Sequence, residues 1–139
     1  LESMVYHKDF ISEDGYTIEE QIKLTTVYFD MLSVKIELLM VKDLDNLVII
    51  MLGDPEFKLE LTGHTDQAEL DEQNSDPENK SIKGLGDKRA EKVQAYLVGK
   101  GVDKSRVIIK SMDEGALNSK GVTRLDKAKN RRVEVELVK

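Results

Sequence analysis

The chain has 139 residues, 40% of them hydrophobic, 35% charged and 5% aromatic, with a formal charge of −6 and no cysteine. That is the length of a single domain. The missing thiols exclude disulfides, cysteine-ligated zinc, iron–sulfur clusters, thiol nucleophiles and a lipidated cysteine within this stretch. A net negative chain lacks the clustered positive field that binding to a phosphate backbone needs, so nucleic acid is not an expected partner.

The longest apolar run, Leu47 to Leu52, is six residues, where a membrane-spanning helix needs about 20. In chain order, residues 1–21 mix charges with Gly15 and read as an N-terminal tail or accessory segment, with the domain over 22–139. From Ile22 to Asp30, alternating Ile22 and Leu24, then Val27 and Phe29, predict a strand. Ser33 is a candidate N-cap for a helix with Met40, Leu44, Leu47, Val48 and Met51 at helical spacing, stopped by Gly53 and Pro55. Phe57, Leu59 and Leu61 alternate strictly and predict a half-buried second strand. Residues 62–83 are polar and rich in turn formers, and read as one long loop, of a length that tends to serve function. A second helix is expected from near Gly86, with Ala90, Val93 and Tyr96 or Leu97 as its apolar stripe and Gly99 and Gly101 at its end. Arg106 to Lys110 predicts a third strand, residues 112–129 a loop with a short helical turn near its end, and Arg132 to Val138 a fourth strand.

The order β-α-β-α-β-β implies an α/β (α+β) two-layer sandwich, with a mixed four-stranded sheet and helices on one face. Charge is uneven along it. Between Asp66 and Lys80 six acids face one base, and between Lys120 and Arg132 six bases face one acid. Such runs are usually solvated faces. The sharper alternative is a site for a zwitterion, with each sign on its own element, which requires the fold to bring the two runs together.

Three motifs stand in order: Gly63-His64-Thr65-Asp66 after a strand, Leu85-Gly86-Asp87-Lys88-Arg89-Ala90 opening a helix, and Lys129-Asn130-Arg131-Arg132-Val133-Glu134 opening the last strand. With Tyr28-Phe29-Asp30 ending the first strand, they resemble the OmpA-like peptidoglycan-binding domain over about residues 22–139. That family includes the C-terminal domain of outer-membrane protein A, the peptidoglycan-associated lipoprotein and flagellar stator anchors; the L-G-x-x-R-A form is nearest to the lipoprotein branch.

The resemblance implies a non-catalytic, cofactor-free periplasmic domain. It would hold peptidoglycan through the diaminopimelate residue of the stem peptide and be tied to the outer membrane by a region outside this chain; a second copy of the chain is a further candidate partner. It assigns Asp66 to the ligand ammonium and Arg89, in the first turn of a helix, to the ligand carboxylate. Thr65 and Asp30 would line the pocket, and Leu85, Asn130 and Arg131 would support it. The departures are a long acidic loop between Asp66 and Arg89, Ile82 where relatives often carry Asn (with Asn79 as a substitute), and Ser111-Met112-Asp113 after the third strand. They motivate an alternative, an OmpA-like module that has lost wall binding and recognises another protein.

Other chemistries fit less well. His64 and Asp66 are two ligands, too few for a metal site. The acidic loop is no calcium EF-hand, since Asp76 stands where glycine is needed and Ile82 where glutamate is needed. Gly84-Leu85-Gly86 lacks the third glycine of a dinucleotide fingerprint. A wall hydrolase would need a nucleophile or metal set that the sequence does not present.

Overall fold

The computed structural model describes residues 15–76, 78, 84–110 and 130–138. The elements are α1 (Ile18–Leu24), β1 (Val27–Tyr28), α2 (Leu38–Gly53), β2 (Leu59–Gly63), α3 (Gln67–Ser75), α4 (Leu85–Gly99), a 3-10 turn (Lys104–Arg106), β3 (Val107–Lys110) and β4 (Arg132–Leu137). The strands form one mixed sheet in the order β1-β4-β2-β3. β2 runs parallel to β3 and antiparallel to β4, and β1 closes the far edge antiparallel to β4. The expected two-layer α+β architecture with a mixed four-stranded sheet is the one observed.

Strand alternation sorts the two faces. Leu59 and Leu61 of β2, Val107 of β3 and Val133 and Val135 of β4 turn inward. They meet Ile18 and Ile22 of α1, Leu44, Leu47, Val48, Ile50 and Met51 of α2, and Ala90, Val93 and Leu97 of α4 in one apolar cluster. The other face carries Glu60, Lys110 and Glu134, with Lys110 Nζ 4.0 Å from Glu60. Arg106 ties α2 to β2: its guanidinium donates to the carbonyls of Met51, Asp54 and Phe57 at 2.6–2.9 Å, satisfying acceptors where α2 ends.

Three expectations are corrected. The first strand does not begin at Ile22, because Ile22 and Leu24 belong to α1. Thr17 and Glu20 form a capping box, each side chain bonded to the other's backbone N–H at 3.0–3.1 Å. Ile18 and Ile22, four apart, then bury one helix face, while Leu24 is 61% exposed. Part of the segment read as a tail therefore lies in the core. Second, Glu37 rather than Ser33 stands at the N-cap position of α2, with no side-chain capping bond, and Ser33 instead closes a turn, its N–H donating to Asp30 O at 3.0 Å. Third, the long loop contains α3. The short helical turn expected before residue 129, and the comparisons involving Asn79, Ile82 and Ser111-Met112-Asp113, fall outside the described residues.

Candidate functional site

At the end of β2 the backbone of the chain touches that of α4. A Cβ on Gly86 would lie 2.7 Å from the carbonyl oxygen of Gly63, and one on Gly63 only 1.7 Å from that of Gly86. Two glycines thus let α4 start directly against the strand end, one turn before Arg89. Gly84, at φ 66°, opens the helix, and its N–H reaches Gln73 of α3 at 2.9 Å. The ends of β1 and β2 and the starts of α3, α4 and β4 therefore converge at one end of the sheet, with the carboxyl end of parallel β2 among them, as at many ligand clefts of open sheets.

Asp66 is the N-cap of α3. Its Oδ1 accepts from the Glu69 N–H at 2.7 Å, and Glu69 Oε1 accepts from the Asp66 N–H at 3.1 Å, a second capping box. The remaining oxygen, Oδ2, accepts from Arg131 Nη1 at 3.0 Å. Arg131 Nε donates to Phe29 O at 2.9 Å, fixing the end of β1.

Arg89 is fully buried and every N–H of its guanidinium has an acceptor. Nε donates to Ser33 O at 2.8 Å, Nη1 to His64 O at 3.1 Å and Nη2 to Asp30 O at 3.1 Å. The other two N–H groups form a bidentate pair with Glu69, at 2.8 and 2.5 Å. The Phe29 ring packs on the guanidinium, 5.3 Å from its carbon to the ring centroid. Glu69 Oε2 also accepts from the Leu32 N–H at 2.6 Å. That bond holds Leu32 at φ 56°, in the left-handed region, which costs about 1–2 kcal/mol for a residue with a Cβ.

Two carboxylates and two guanidiniums thus compensate each other, and the acidic and basic segments of the sequence do meet, through Asp66 and Arg131. Asp66, Arg89, Arg131 and the Asp30 carbonyl belong to one network. Thr65, half-buried, stands beside it at the β2–α3 corner, and Asp30 is exposed at the rim. Leu85 is buried at the start of α4. Asn130 lies buried beside the network, with its Oδ1 3.4 Å from Arg132 Nη1. Glu69 is the central residue that the motifs did not point to, although the spacing Asp66-Gln67-Ala68-Glu69 is a capping-box signature and could have revealed it.

Asp66 and Arg89 are both fully buried, and among the described residues the carboxylate that pairs with Arg89 is that of Glu69. Two cavities lined by described residues, of about 220 and 230 Å³, lie elsewhere. One is bordered by Lys23, Tyr28 and Glu134 and the other by α1 and α2, and neither includes Asp66 or Arg89. His64 Nε2 is 3.7 Å from Glu134 Oε1. No group of three or more His, Asp or Glu side chains suited to a metal ion occurs among the described residues.

Fold and cluster together define a class: a small α+β domain whose chemistry-bearing residues are gathered at one end of a mixed sheet. The chain belongs to the OmpA family, whose model matches residues 28–131. Among solved structures it is similar to the peptidoglycan-associated lipoprotein from Burkholderia pseudomallei, with 25% identity and a TM-score of 0.70 over 81% of this chain and 89% of that one. It is similar in fold to the C-terminal domain of Helicobacter pylori MotB, with 19% identity and a TM-score of 0.66 over 81% and 83% of the two chains. The OmpA-like domain of FopA1 from Francisella tularensis shares the fold at 21% identity and a TM-score of 0.61, over 81% and 72%. No curated protein matches the chain.

Proposed function

We propose that this domain binds the peptide stem of peptidoglycan in the periplasm, non-covalently and without turnover, and so anchors an envelope protein to the wall. Family membership is consistent with peptidoglycan binding, and the similar Burkholderia protein is named for that association. The observation that carries the reading is the gathering of Asp66, Arg89, Arg131 and the Asp30–Thr65 rim at one end of the sheet. A diaminopimelate end is a zwitterion, and this end of the sheet holds both signs of charge on rigid elements. Asp30 and Thr65 are its accessible rim. Among the described residues of the network, Arg131, with 14% of its side chain exposed, is the cation nearest the rim.

A second reading keeps the fold but not the ligand: an OmpA-like module that docks another protein. The full occupation of Arg89 by internal acceptors favours it. Pelleting with purified sacculi separates the two. Wild type should pellet, while Asp66→Asn and Asp30→Ala, checked for folding by circular dichroism, should pellet at least tenfold less. Wild type left in the supernatant would favour the docking module, and released muropeptides would contradict the absence of turnover.

A further inference from the structure

Of the five acceptors around Arg89, three are backbone carbonyls, of Asp30 and Ser33 in the turn after β1 and of His64 just past β2, and these can leave only if the main chain itself moves. The other two are the oxygens of one side chain, Glu69, on the first turn of α3. The one face of the guanidinium that an incoming anion can win is therefore the face that Glu69 covers. Two carboxylates cannot share it, since they would repel in a buried setting and compete for the same pair of N–H donors.

We propose that Glu69 is the resident occupant of the Arg89 carboxylate site: a ligand's free carboxylate reaches Arg89 only by displacing Glu69, and Glu69 thereby removes the site's preference for ligands with a free acid end. The inference rests on the peptidoglycan reading and adds a specificity-determining residue to it. Glu69 acts through Arg89 and is a positioning residue. With it in place, recognition falls to the rim of Asp30, Thr65 and Arg131, and a diaminopimelate stem peptide whose side-chain carboxyl is a carboxamide should bind as well as the free acid.

The test measures both peptides against the same chain by calorimetry. Wild type should bind them within about threefold of each other. Glu69→Gln and Glu69→Ala should raise the ratio of free-acid to carboxamide affinity tenfold or more, a change of ratio that loss of a merely structural contact would not produce. Glu69→Asp, which keeps a carboxylate but shortens its reach, should give an intermediate ratio. A wild-type preference for the free acid of tenfold or more overturns the inference and needs no variant to fold. Folded variants whose ratio matches wild type overturn it too, while leaving wall binding intact. If wild type and folded variants bind neither peptide, the peptidoglycan reading fails and this inference fails with it.

Discussion

Arg89 and Glu69 are both buried, at 0% and 1% exposure, so their pairing is decided by desolvation as much as by attraction. A charge stripped of water and left alone is costly. A charge whose donors are all satisfied is tolerated, and Arg89 is satisfied in full. Removing either partner alone, as in Arg89→Leu or Glu69→Leu, should cost about 3–5 kcal/mol in urea unfolding. The double variant should cost clearly less than the sum of the two, with a coupling of about 1 kcal/mol or more. Additive losses would mean that the pair is not energetically linked. Sequence motifs drew attention to Asp66 and Arg89 because the family resemblance marks them. They passed over Glu69, which binds Arg89, caps α3 and holds Leu32, because one glutamate in an acidic run looks like solvated surface.

Elements were legible where apolar spacing wrote them. α2 and α4 follow the stripes Leu44, Leu47, Val48, Met51 and Ala90, Val93, Leu97, and β2 and β4 follow strict alternation. α3 was illegible because it has no stripe: of its apolar residues only Leu70 is deeply buried, and its start is fixed by Asp66 and Glu69 rather than by periodicity. α1 was misread because Ile22 and Leu24 also fit a two-residue period, while the deciding capping box lay further back, at Thr17 and Glu20. Contact between elements also makes a pH prediction. The Tyr96 hydroxyl of α4 donates to Asp45 of α2 at 2.5 Å. This hydrogen bond, then loss of solvation and the Asp45 charge, raise the Tyr96 pKa above its ordinary 10.0. The folded state thus favours the protonated phenol. The stabilisation is fully present below the unfolded-state pKa and is lost as pH rises through the folded one. Thermal midpoints followed from pH 8 upward should fall more steeply for wild type than for Tyr96→Phe, and parallel curves would rule the contact out as a source of alkaline sensitivity.

Across the whole molecule, residues far apart in sequence hold the domain together. Asp66 meets Arg131, 65 residues away, and Arg89 meets Asp30, 59 residues away. Composition can flag such charges but cannot pair them, since pairing depends on which strands become neighbours. The same holds for the start of the domain, where α1 packs on β4, the second strand from the edge and the last in sequence, and sends Ile18 and Ile22 into the common core at 0% exposure. Burying one such side chain contributes about 1.5–3 kcal/mol, so the pair accounts for a large share of a typical stability of about 5–15 kcal/mol. A chain shortened to begin at Thr26 retains every strand, yet it should lose cooperative unfolding or shift its urea midpoint far downward. Ile22→Ala in the full chain should cost about 2–5 kcal/mol. Equal midpoints for the shortened and full chains would make α1 an appendage and return the domain start to the first strand.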